Sequence, residues 1–138
     1  MTLVDTNVLL DVATDDPKWA RWSLRQLDAA ALRGRLLINA VVYAEFSIGY
    51  SLIEDADRIL AAVGLDVTEM PRAALFLAGK VFRRYRARGG SRTGVLPDFF
   101  IGAHAAVTRI PLLTRDPRPY RNYFSGITII APGAGDLA

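Results

Sequence analysis

Four acidic residues, each beside a short apolar run, are the side chains in this sequence best suited to chemistry. They are Asp5 in LVDTN, Glu45 in AVVYAEF, Asp98 in LPDFF and Asp116 in LLTRDP. Carboxylates gathered at one point hold hard cations such as Mg²⁺ or Mn²⁺ through oxygen alone. Such an ion lowers the pKa of a bound water and neutralises a phosphate oxygen, which is the chemistry of phosphodiester hydrolysis. Other chemistries lack their residues. There is no cysteine, which removes thiol nucleophiles and thiolate zinc sites, and the single histidine, His104, cannot build a zinc hydrolase. Standing between Ala103 and Ala105, His104 reads as a core or subsite residue. No serine lies in a G-x-S-x-G elbow and no G-x-x-x-x-G-K-[ST] phosphate loop is present.

Three of the acids also have ordinary uses. Asp5 can cap the helix that follows it, Asp98 can complement a helix dipole behind Pro97, and Asp116 before Pro117 can form a turn. Glu45 is harder to place. It is one of three glutamates, and Val41, Val42, Ala44, Phe46 and Ile48 predict little solvated surface around it. A buried carboxylate without a partner costs several kcal/mol or stays protonated, and a cation shared with Asp5 and Asp98 would remove that cost.

The elements that must position these acids alternate. Thr2 to Val4 reads as a strand ending at Asp5, followed by a helix with Val8, Leu9, Val12 and Ala13 on one side. Asp15-Asp16-Pro17 predicts a stop and a start, opening a helix to Leu32 with Ala20, Leu24, Leu27 and Ala31 facing the core. Leu36 to Ile38 reads as a strand, and Asn39 leads into the helix that carries Glu45. A helix over Ser51 to Gly64, a strand at Leu65 to Thr68 and a helix from Pro71 follow. That last helix is expected to dissolve into RRYRARGGSRTG. Pro97 opens the Asp98 helix, Pro111 to Thr114 is a strand, and Ile127 to Ile130 is the final one. Short apolar strands between amphipathic helices predict an α/β domain with a mainly parallel sheet covered by helices. In such sheets, ligand sites gather beyond the carboxyl ends of the strands, where Asp5 and Asp116 fall.

The chain has 138 residues, enough for one core, so residues 1–132 are expected to form a single domain with a loose tail over 133–138. The opening MTLVDTN is no secretory signal and no stretch approaches a membrane span, which together predict a soluble cytoplasmic protein. Basic residues outnumber acidic ones, 17 to 14, and arginine supplies all but Lys18 and Lys80. With four acids committed to one pocket, the remaining surface is strongly basic, which suits a polyanionic substrate. Arg83, Arg84, Arg86, Arg88 and Arg92 form the densest cluster. They read either as a grip on an RNA backbone, with Gly89-Gly90 as a hinge, or as a solvated helix end. Trp19 and Trp22 lie off the apolar stripe and read as a broad core face or as the lining of a groove for a partner.

LVDTNVLLD, AVVYAEF, LPDFFIGAHA and LLTRDPRPYRNYF fall in the order typical of PIN domains. More narrowly, the chain resembles the VapC toxins of bacterial and archaeal toxin–antitoxin pairs. The resemblance covers nearly the whole sequence and implies a PIN-like three-layer fold and a Mg²⁺- or Mn²⁺-dependent endoribonuclease. It implies that Asp5, Glu45, Asp98 and Asp116 hold one or two ions, with Asp5 and Asp98 the most direct ligands. Asn7 and Thr114 match supporting positions. RNA as substrate, a VapB-type antitoxin and a homodimer are further implications, as is a 5′-phosphate product. Two rival readings remain at this point. A haloacid-dehalogenase-type phosphatase also opens with an Asp after its first strand but needs a second Asp where this chain has Asn7. A non-catalytic RNA-binding domain needs no intact acidic set.

Overall fold

The computed structural model describes residues 1–137. Five short parallel strands make one sheet: β1 (Thr2–Val4), β2 (Leu36–Ile38), β3 (Leu65–Val67), β4 (Leu112–Leu113) and β5 (Ile129–Ile130). Seven helices flank it in a three-layer α/β arrangement: α1 (Thr6–Ala13), α2 (Ala20–Arg33), α3 (Ala40–Ser47), α4 (Ile53–Val63), α5 (Arg72–Ala87), α6 (Pro97–Thr108) and α7 (Arg118–Tyr123). None of the described helices is long and apolar enough to cross a membrane. Residues Ala134–Leu137 of the expected tail form a 3₁₀ turn, and Ala138 lies outside the described residues.

The strand order is β3-β2-β1-β4-β5, with every neighbouring pair parallel. The chain therefore builds outward from β1 to β3, then returns to lay β4 against the other side of β1. That reversal opens a crevice between the carboxyl ends of β1 and β4. The central strands are wholly buried, as helices on both faces require, and Leu3 is in register with both Leu37 and Leu112.

Helix boundaries follow their caps. The Asn39 side chain accepts from Val42 N at 3.0 Å to start α3, and Gly64 ends α4 in the left-handed region at φ 82°. Three expectations are corrected. Regular helix α2 begins at Ala20, because Asp16 caps a preceding turn by accepting from the backbone N–H groups of Lys18 and Trp19. Its buried face is Trp22, Ser23, Leu27 and Ala30, while Leu24 is exposed; Ser23 donates to buried Asp11 at 2.8 Å and turns the helix onto that contact. Helix α5 runs on through Arg86 to Ala87, and its arginines occupy the exposed side of an intact helix.

Helix α7 was not foreseen. Six residues that include Pro119 and follow Pro117 give no readable period, and packing fixes them instead. Tyr120 and Phe124 are buried, and Gly102 in α6 leaves the space for the Phe124 ring, which a Cβ there would meet at 2.4 Å. Gly102→Ala should therefore push α6 off α7 and cost about 1–3 kcal/mol by overpacking. A thermal melt at or above the wild-type midpoint would show that this contact is slack.

Candidate active site

Asp5 follows β1 at the crevice and is almost fully buried. Its Oδ1 accepts from Thr6 N at 2.7 Å, which makes it the N-cap of α1. Oδ2 is the crowded oxygen, accepting from Tyr120 Oη at 2.7 Å and Thr114 Oγ1 at 2.8 Å, with Asn7 Nδ2 at 3.5 Å. The capping role and the site role are thus filled by different oxygens of one carboxylate. Asn7 ties the two strand ends together, its oxygen accepting from Arg115 N at 3.0 Å and its amide approaching Thr114 Oγ1 at 3.3 Å.

Asp98 lies in the first turn of α6, behind Pro97. Its Oδ1 stands 3.3 Å from the Tyr120 hydroxyl that Asp5 already holds. One phenolic proton serves two carboxylates, and the shorter contact goes to Asp5. Burial pushes the pKa of both acids up; repulsion from Asp5 adds to this at Asp98, against the hydrogen bonds that lower it at Asp5. The same burial and the two neighbouring carboxylates push Tyr120 up as well, so it remains a donor.

Glu45 and Asp116 complete the wall. Together with Asp5 and Asp98 they line one cavity of about 320 Å³, whose rim carries Leu10 and Ile48. Glu45 accepts from Thr6 Oγ1 at 2.7 Å. It is half-buried, not sequestered, since Ala44 and Ile48 beside it face outward. Asp116 is turned to Arg118 in a two-point pair at 2.9 and 3.1 Å, which holds its carboxyl below the usual range. Each acid has a donor nearby, shared in the case of Asp5 and Asp98, and among the described residues no three His, Cys, Asp or Glu side chains close to ion-holding distance.

A second tier locks the elements. Buried Asp11 accepts from Ser23 at 2.8 Å and from Arg115 Nε at 2.9 Å, so α1, α2 and the Asp116 loop share one carboxylate. His104 is in the core, where its Nδ1 faces the Asn39 amide at 3.1 Å and burial holds the ring below its ordinary pKa. That contact joins the cap of the Glu45 helix to the Asp98 helix. Sequence reasoning missed Tyr120, Thr6, Asp11 and Arg115. The one available signal was a hydroxyl residue beside an acid in D-T-N.

None of the five arginines from Arg83 to Arg92 lines the acidic cavity. Arg86 donates to the carbonyls of Gly90 and Arg92 and so holds the segment in which Gly89-Gly90 was read as a hinge. Gly90 packs under the Tyr85 ring. Arg88 lies 5.5 Å over Tyr123, which continues through Phe99 to Tyr85 as a line of rings beside Asp98.

Compared with protein-family profiles, residues 2–125 match the PIN domain. The chain belongs to the PIN domain family. No curated protein matches the sequence. Among solved structures, this PIN domain is similar to VapBC2 from Rickettsia felis bound to a promoter DNA fragment, at 16% identity and TM-score 0.73, over 96% of this chain and 98% of that one. It is similar to VapBC-1 from nontypeable Haemophilus influenzae at 18% identity and TM-score 0.67, over 94% and 96%. DNA-bound VapBC from Salmonella typhimurium gives 20% identity and TM-score 0.65 over the same shares. At these identities the likeness is one of fold.

Because Asp5 and Asp98 bind protons more tightly in the PIN domain than in the unfolded chain, their ionisation weakens the fold as pH rises above 3.8 through their folded values. In chelator, Asp98→Asn should melt a few degrees above wild type at pH 8, and the gap should close near pH 4. A variant less stable than wild type at pH 8 would show that repulsion between the two acids is not what strains the site.

Proposed function

We propose that this PIN domain is a Mg²⁺- or Mn²⁺-dependent endoribonuclease and the toxin of a toxin–antitoxin pair. The observation that carries the reading is the convergence of Asp5, Glu45, Asp98 and Asp116, from four separate stretches of chain, on one cavity at the β1/β4 crevice. An oxygen-only donor set suits a hard dication, and two buried acids with raised pKa values have the strain that such an ion relieves.

Asp5 and Asp98 would hold the ion, with Glu45 and Asp116 swinging from Thr6 and Arg118 to complete its shell or to hold the attacking water. When bound, the ion supplies a water of lowered pKa and a neutralised phosphate oxygen. Thr114 and Tyr120 fix Asp5 Oδ2, which leaves Oδ1 with spare acceptor capacity. Glu45, half-buried on α3, would take the proton of that water. In-line attack by water would break the P–O3′ bond, leaving a 5′-phosphate on one fragment and a 3′-hydroxyl on the other.

Asn7 donates and accepts within the frame of the site, which is support for Asp5 and not a second acid of the phosphatase kind. The structural neighbours are VapBC complexes, two of them with DNA, and support a VapB-type antitoxin as partner. Exposed Ile48 and Leu10 at the cavity rim offer apolar surface for a partner to cover. A homodimer and a cytoplasmic setting belong to the same reading, with residues 1–132 as its nuclease domain.

Asp5→Asn and Asp98→Asn should each lower cleavage of single-stranded RNA by orders of magnitude while circular dichroism stays native. EDTA should abolish wild-type cleavage and Mg²⁺ or Mn²⁺ restore it, with calorimetry showing ion binding lost in Asp98→Asn. Cleavage retained by either folded variant defeats the assignment. Replacing Arg83, Arg84 and Arg88 with alanine should weaken RNA binding by about tenfold and flatten its salt dependence by about 2 in log–log slope. An unchanged slope would return these arginines to the role of a solvated helix end.

A further inference from the structure

A second cavity, of about 640 Å³, shares Asp116 with the acidic one. Its character is the reverse. Lys18, Arg115 and Arg118 supply positive charge, and Trp19, Pro117 and Pro132 supply flat apolar walls. The two cavities meet at Asp116, so a chain-like ligand with its reacting bond over the carboxylates passes directly into the basic one.

The wall at Trp19 is built and not incidental. Asp16 accepts from the backbone of Lys18 and Trp19 at 2.9 and 2.8 Å, fixing the turn that presents both side chains. Trp22 is buried and meets Trp19 edge-on at 6.0 Å, bracing the half-buried ring. Lys18 Nζ lies 5.5 Å and the Arg115 guanidinium 5.7 Å from its centroid, near the outer limit of a cation–π contact. Arg115 is tied to Asp11, whereas Lys18 pairs with no carboxylate among the described residues. Arg118 is held to Asp116 by a largely exposed pair that contributes little, so its guanidinium can turn to a phosphate.

We propose that this cavity is a nucleotide subsite that holds single-stranded RNA next to the bond being cut. A base or sugar lies against Trp19, and the adjoining phosphate sits between Lys18 and Arg118. The proposal rests on the ribonuclease reading above and names the form of RNA it takes. An aromatic wall beside cations grips an unpaired base, which stacks whatever its identity, while a duplex keeps its base faces covered. The volume lies within the ordinary range of ligand sites.

The test is binding of a fluorescently labelled single-stranded RNA 10-mer in EDTA, where cleavage does not interfere. It is read by anisotropy and, with unlabelled RNA, by tryptophan emission. Wild-type emission should be quenched on binding, and Trp19→Phe, which keeps only the buried Trp22, should show no quenching. Trp19→Ala should weaken binding at least about fivefold. Lys18→Glu, an exposed change that leaves folding alone, should weaken it by about tenfold. Absence of quenching, or wild-type affinity in both Lys18→Glu and a natively folded Trp19→Ala, overturns the subsite. If the chain cleaves RNA and these variants bind as wild type does, the subsite fails and the nuclease reading stands. Strand binding that depends on Lys18 and Trp19 in a chain that cuts no RNA reverses that outcome.

Discussion

Two carboxylates share a single phenolic hydroxyl at the carboxyl edge of a buried parallel sheet, and the rest of the site is arranged around that shortage of donors. Asp5, just after β1, and Asp98, in α6, are brought together by packing, then held by Tyr120, whose one proton cannot satisfy both. Burial raises the pKa of each acid; the charge of Asp5 raises Asp98 further, and the charge of Glu45 adds to the rise at Asp5. The fold tolerates this because Thr6 and Thr114 supply further donors to Asp5, and because Asp98 is only partly buried.

Strain of this kind has to be held by something stiffer than the site itself. Here the stiffness comes from polar contacts one layer deeper. Asp11 gathers Ser23 and Arg115, Asn7 bridges the ends of β1 and β4, and the Asn39–His104 contact ties α3 to α6. Among the described residues, no buried side-chain nitrogen or oxygen lacks a hydrogen-bond partner. That completeness is what polar groups in a low-dielectric interior require.

Charge is divided sharply across one residue. On one side of Asp116 the charged side chains of the cavity wall are all acids; on the other the wall carries Lys18, Arg115 and Arg118. Asp116 belongs to both, and its bond to Arg118 is the hinge between them. The basic surplus expected from composition is therefore present beside the acids, in a place the dense arginine cluster did not predict.

The sequence by itself determined the types of every element but α7, the parallel sheet, and which four acids the fold would bring to one cavity. Apolar strands, caps and prolines are local signals, and Asp5, Glu45, Asp98 and Asp116 each follow one. It missed whatever depends on rotation or on distant partners. The face of α2 was misplaced because a buried serine, Ser23, outweighs Leu24 once Asp11 is opposite it. Glu45 was expected to be sequestered because apolar neighbours in sequence were taken for neighbours in space, yet Ile48 points outward. Tyr120 was invisible because six residues of α7 carry no period, and its role exists only where α7 meets β1 and α6. Only tertiary structure decided which donor serves which acid, since hydrogen bonds between residues more than a hundred positions apart leave no trace in local pattern.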